Sequence, residues 1–141
     1  MKYLLRKVLR KIMYALSVPK RIATSLSDNQ TYPQVCIEAS NDYALFNNFR
    51  RNPIYNDILE HVSEEQGREY LDVISQDPHI VGAINDFKLN DIYGNPRMYE
   101  YVGIGMMSPT TLRYIKVLVD LKKYFHELND LNICEIGVGY G

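Results

Sequence analysis

The sequence predicts a mainly α-helical chain, built from several short helices and closed by one terminal β-strand. Three observations carry that expectation. Apolar residues recur at helical spacing along much of the 141-residue chain. Cap-type residues (Asp42, Asn52, Ser63, Asp77, Ser108) stand directly before those stripes. A short apolar run from Leu131 to Ile136 then leads straight into glycines.

Composition sets the class. Hydrophobic residues make up 46% and charged residues 23%, an ordinary globular balance and the opposite of a disordered one. Charges and Pro, Ser, Thr or Asn interrupt every apolar stretch before it could cross a membrane. Two cysteines cannot form a disulfide framework. Cys36 and Cys134 have no CxxC or His neighbour. Two reduced, buried thiols in a cytoplasmic protein are therefore expected.

The net charge of −1 hides a split. Residues 1–27 hold seven of the sixteen basic groups and no acid, so the remaining nine face all seventeen acids in residues 28–141. A basic arm precedes an acidic body. Three segments are expected: a basic helix (1–27), a helical N-terminal region (28–107), and the start of a further domain (108–141).

Within the arm, Leu4, Leu5, Val8, Leu9, Ile12, Met13 and Leu16 share one face of a helical wheel. Arg6, Lys7, Arg10 and Lys11 lie opposite, and Pro19 stops the pattern. Basic residues break the apolar stretch too often for a secretory signal. Two uses of residues 1–17 stay open. The apolar face can pack on the rest of the chain, or it can lie in an anionic membrane surface with the cations on phosphates. The acidic body has no nucleic-acid motif, so nucleic acid is not an expected partner.

Residues 27–41 are polar and turn-rich, and read as a linker. Asn29-Gln30-Thr31 matches a glycosylation sequon by chance. Short helices follow. Asp42 opens the first, and Asn52-Pro53 starts the next with a cap and a helix-starting proline. Ser63-Glu64-Glu65-Gln66 fits a capping box. Asp77-Pro78 repeats the cap-then-proline start. Residues 92–107 are rich in Tyr, Gly and Met, with Gly94-Asn95-Pro96 as a turn, and read as a short strand or irregular loop.

His61, His79, Asp72, Asp77 and Asp86 could each serve as a general base. None belongs to a recognisable cluster, and helix caps or exposed helix positions explain them equally well. No spacing matches a metal site. The twelve tyrosines suit core or edge packing, or stacking on sugar rings.

Ser108-Pro109-Thr110-Thr111 is a strong helix start, and Leu112, Ile115, Leu118, Val119, Leu121 and Phe125 follow at helical spacing. Lys122 and Lys123 suit the negative end of that helix. Ser108, Thr111 and Arg113 stand as packing or cap residues. A turn at Asn129-Asp130 leads to Glu135-Ile136-Gly137-Val138-Gly139-Tyr140-Gly141. Glycines there allow a sharp turn and let a ligand approach the backbone. The amides at a following helix start can bind an anionic group.

This string resembles the first motif of class I S-adenosylmethionine-dependent methyltransferases, an acid followed by G-x-G-x-G at the end of the first strand. With the Ser108–Tyr114 helix start before it, the chain resembles the sugar O-methyltransferase family of bacteria. The motif covers residues 132–141, and a wider, less specific likeness covers residues 41–141. The resemblance implies an α/β parent enzyme with a Rossmann-like domain. It also implies S-adenosylmethionine as cofactor, a sugar or glycan as acceptor, and Glu135, Gly137, Gly139 and Gly141 as cofactor contacts. The catalytic base is not identified. A dinucleotide site, whose G-x-G-x-x-G would need a further glycine, is the nearest competitor. A helical interaction module without catalysis is a second alternative. One such strand cannot build a nucleotide-binding sheet, so the chain is expected to be an inactive N-terminal piece of a longer enzyme, its last strand unpaired.

Overall fold

A computed structural model describes residues 30–135. The amphipathic segment 1–17 and the glycines Gly137, Gly139 and Gly141 lie outside the described residues.

The first element among the described residues corrects the sequence reading. Thr31–Asn41 is a helix, α1, where a linker was expected. Its polar residues, which suggested a loop, instead bond within the helix. The Gln34 amide donates to Glu38 one turn on, at 2.9 Å. Ser40 and Asn41 both donate back to the Ile37 carbonyl, at 2.8 and 2.7 Å. Side chains that compete with a helix in isolation thus close its last turn here, while Val35 is buried beneath it.

The next starts follow the sequence. Helix α2 (Tyr43–Phe46) begins at Asp42, whose carboxylate accepts from the Ala44 and Leu45 amides. A 3-10 turn, Phe49–Arg51, follows. Helix α3 (Pro53–Ile58) is capped by Asn52 and has its proline in the first turn. Helix α4 (Glu64–Ile74) carries the full capping box, with Ser63 and Gln66 bonded reciprocally. Helix α5 (Pro78–Gly82) is capped by Asp77, and α6 (Ile84–Phe87) runs into a second 3-10 turn, Lys88–Ile92.

The Tyr-, Gly- and Met-rich stretch resolves into a turn and a hairpin. Gly94 and Asn95 both have positive φ. Strands β1 (Tyr99–Tyr101) and β2 (Gly105–Met107) pair antiparallel, Tyr99 opposite Met107. Helix α7 (Pro109–Phe125) then starts at Ser108, whose hydroxyl accepts from the Thr111 amide, and carries Lys122 and Lys123 in its last turn.

The terminal segment is unpaired, as expected, but the strand assignment is the second correction. Residues 131–135 belong to no regular element and are exposed. A strand needs a neighbour to satisfy its backbone groups, and none pairs with this segment among the described residues. The third correction concerns the thiols: Cys36 and Cys134 are free as expected, but both are exposed. Cys36 lies beside Val35, the residue α1 buries, and Cys134 lies in the uncovered 131–135 segment.

The main core lies where α4 crosses α7, roofed by the hairpin. Ile74, Leu112, Ile115, Tyr101 and Met107 are at most 2% exposed. Each such side chain stabilises the fold by roughly 1.5–3 kcal/mol through burial. Gly67 on α4 makes the approach possible, since a Cβ there would stand 2.1 Å from the Tyr101 hydroxyl. A second, aromatic cluster lies against α1: Phe49 meets Tyr55 edge-on at 5.0 Å, Phe46 lies 5.8 Å from Phe49, and Tyr32 of α1 lies 6.1 Å from Tyr55. Among the described residues, no helix is long and apolar enough to cross a membrane.

Candidate functional site

Of the residues expected to hold the cofactor, Glu135 is described and is exposed. Gly137, Gly139 and Gly141 lie outside the described residues.

The expected general bases do not converge. His61, His79, Asp72 and Asp86 are exposed at separate places on α4, α5, α6 and the loop before α4. Asp77 caps α5 and pairs with Lys122 of α7. The hydrogen bond from Lys122 holds the Asp77 carboxyl below its ordinary range, and the Ile80 and His79 amides add to the effect. No group of three or more His, Cys, Asp or Glu residues could hold a metal ion among the described residues.

What the fold does bring together is a buried polar network centred on Arg50. The first 3-10 turn presents this residue, and the Arg50 amide donates to the Gly94 carbonyl at 3.0 Å, which docks the turn on the 92–96 loop. The guanidinium is fully buried. Its Nε donates to Glu60 Oε1 at 2.6 Å, Nη1 to Asp91 Oδ1 and the Asn90 carbonyl at 3.3 Å each, and Nη2 to the Ser108 hydroxyl at 3.1 Å.

Asp91 is held from the other side by the start of α7. The Ser108 amide donates to Oδ2 at 2.8 Å, and the Ser108 and Thr111 hydroxyls donate to Oδ1 at 2.7 Å each. Asn90 donates to the Thr111 hydroxyl at 2.9 Å. Two carboxylates face one guanidinium, and the amide end of α7 supplies the remaining positive potential at Asp91. With its oxygens engaged from both sides, Asp91 ties elements together.

Asn90 also reaches an open groove of about 730 Å³. Its walls are Tyr32, Val35, Phe46, Phe49, Tyr55 and Tyr93. Cys36 and Ser40 of α1 also line it. The Tyr32 phenol is pushed up to about 12, by burial first and then by its hydrogen bond with Cys36. At neutral pH the groove therefore offers aromatic faces and a neutral hydroxyl. Such a surface takes an apolar or flat partner.

Neither the network nor the groove was found from the sequence. Ser108 and Thr111 were recognised as cap residues, which they are. Their partners Arg50, Glu60, Asn90 and Asp91 carry no local signal, because the contacts join positions 10 to 58 apart. The groove needs α1, and α1 was read as a linker.

Comparison with protein-family models, with curated proteins and with solved structures finds no match for this chain.

Proposed function

We propose that the chain is the N-terminal part of an S-adenosylmethionine-dependent methyltransferase that transfers a methyl group to a sugar hydroxyl. The observation that supports this most is α7. One side of the helix is spent on α4 through Leu112 and Ile115, which are buried. Tyr114, Val117, Tyr124 and Phe125 are exposed apolar residues on the same helix, and Leu131 and Ile133 just beyond it are also exposed. A helix with two apolar sides suits the middle of a layered fold. A sheet whose first strand is residues 131–136 would cover the open side and carry Glu135 and the glycines to its edge.

In that enzyme Glu135, Gly137, Gly139 and Gly141 contact the cofactor. The acceptor hydroxyl is aligned with the methyl–sulfur bond, and a base outside the assigned residues takes its proton. Residues 28–107 stand before the catalytic domain as a lid or part of the acceptor site. Residues 1–17 bring the enzyme to the anionic cytoplasmic face of a membrane, where glycans are assembled. The 141 residues alone neither bind the cofactor nor catalyse transfer.

Titration calorimetry tests this reading. A polypeptide continued in frame beyond Gly141 is expected to bind S-adenosylmethionine at micromolar concentration, and Glu135→Ala to weaken that binding at least about tenfold, roughly 1.4 kcal/mol. The 141-residue chain should give no heat. Micromolar binding by the 141-residue chain, or none by the extended one, defeats the proposal. The second reading is a helical interaction module without catalysis. The aromatic groove is the observation that favours it.

A further inference from the structure

We propose that the aromatic groove is the resting seat of the chain's own amphipathic segment, residues 1–17, and that an anionic membrane surface competes with the groove for that segment. The proposal does not depend on the methyltransferase reading.

The groove is lined mostly by apolar and aromatic side chains, and exposed apolar residues stand around it as well. Ile37, Leu45, Phe46, Leu89 and Tyr93 are 42–61% exposed on the elements that form or flank it. Phe46, Leu89 and Tyr93 line the groove itself, and exposed apolar surface gathered at a concavity marks an interaction site. The segment offers the complementary surface, with seven apolar residues on one helical face.

Tether length permits the contact. The groove is walled by α1, which starts at Thr31. Thirteen residues, 18–30, separate the segment from it. Extended at ~3.3 Å each, they span about 43 Å. The longest described helix, α7 with 17 residues, is only about 25 Å long. A tether of this length gives the segment an effective concentration near the millimolar range, so weak intrinsic affinity suffices.

Charge favours the same seat. Residues 31–58 hold three acids, Glu38, Asp42 and Asp57, against two bases. Both bases are engaged: Arg50 in the buried network and Arg51 with the Asn95 and Pro96 carbonyls. The segment and its tether up to residue 27 carry seven bases and no acid. With the apolar face in the groove, the cations of the opposite face would turn away from the aromatic wall, on elements whose own charge balance is acidic.

Cys36 reports occupancy, because it lines the groove and is free and exposed. Cys134 is also free and exposed, outside the groove, and serves as the internal reference. The full chain is alkylated with N-ethylmaleimide and the two sites are followed separately by mass spectrometry. A seated segment makes Cys36 react about tenfold more slowly in the parent chain than in the double variant Leu9→Glu/Ile12→Glu, for a groove affinity near 0.1 mM. The Cys134 rate stays the same in both. Phosphatidylglycerol vesicles then raise the Cys36 rate of the parent to that of the variant, whereas phosphatidylcholine vesicles do not. Equal Cys36 rates in parent and variant overturn the seat. Protection that disappears on dilution assigns the groove to the segment of a second copy, and also overturns it. Vesicles that bind the chain without changing the Cys36 rate overturn the competition.

Discussion

Arg50 and Asp91 are 41 positions apart in the chain and 3.3 Å apart in the fold, with side chains 0% and 2% exposed. Neither could stay charged there alone, because removing a charge from water costs several kcal/mol unless partners replace the water. Glu60 and Ser108 complete the arrangement, so residues from three other parts of the sequence depend on one guanidinium.

Replacing that guanidinium is expected to be the most damaging single change. Arg50→Met leaves Glu60 and Asp91 buried without their cation and should cost about 3–5 kcal/mol. Urea unfolding of the full chain measures the loss. Adding Glu60→Gln and Asp91→Asn to Arg50→Met should recover part of it, since the stranded charges are then gone. No recovery would mean that packing, and not charge, makes Arg50 necessary.

Gly94 holds the other side of that turn. Its φ is +73°, and an added Cβ would meet the Phe49 ring at 2.4 Å and Arg50 Cγ at 2.8 Å. Gly94→Ala therefore combines backbone strain with overpacking, and should destabilise by about 2–4 kcal/mol. Gly82→Ala is the control, because nothing lies within 4 Å of a Cβ there. That change should be neutral or stabilising by up to ~1 kcal/mol. Thermal unfolding of the two variants side by side gives the comparison.

Tyr101 is buried, and its hydroxyl has no hydrogen-bond partner among the described residues. Burial is the main cause that pushes its phenol up to about 12. Tyr101→Phe removes an unsatisfied group and should leave stability within about 1 kcal/mol of the parent. Gly67→Ala should destabilise by roughly 1–3 kcal/mol despite its better helix propensity, because the new methyl meets that hydroxyl. In the Tyr101→Phe background the penalty should shrink. A loss above 2 kcal/mol for Tyr101→Phe in chemical denaturation would reveal a partner for the hydroxyl.

Asp77 links stability to pH. Its carboxyl is held below the ordinary carboxylate range in the folded chain, first by Lys122. A lowered folded-state value means the unfolded chain takes up the proton first as pH falls. The stabilisation is thus complete above the ordinary range and is lost as pH drops through the lowered value. Unfolding midpoints measured from pH 6 to pH 2 should fall less steeply at the acid end for Asp77→Asn than for the parent. Lys122→Met should flatten the profile in the same way. Parallel profiles would exclude the pair as a source of acid sensitivity.

The parts legible in the sequence are those whose signal is local. Asp42, Asn52, Ser63, Asp77 and Ser108 each sit within three residues of the amides they cap, so the starts of α2, α3, α4, α5 and α7 could be read directly. Helix α1 could not. Its Ser, Asn and Gln residues favour turns in isolation, and the packing of Val35 beneath it decides otherwise. The strand at residues 131–136 was read from a short apolar run leading into glycines, and such a run cannot supply a neighbour. Of the candidate site, Glu135 and the glycines were legible as a string. The Arg50 network was not, because no window of sequence contains both Arg50 and Ser108.

The Ser108–Asp91 contact also restricts how the molecule can move. Ser108 caps α7, donates to Asp91 and receives Arg50, so the first 3-10 turn, the second and the start of α7 are tied to one another. A hinge placed among them would open two buried carboxylates to a half-dry gap. The hairpin tip is exempt, since Val102 is 92% exposed and Gly103 has open space around it. The hairpin tip therefore stands outside the clamp, which holds the elements on both of its sides to one frame.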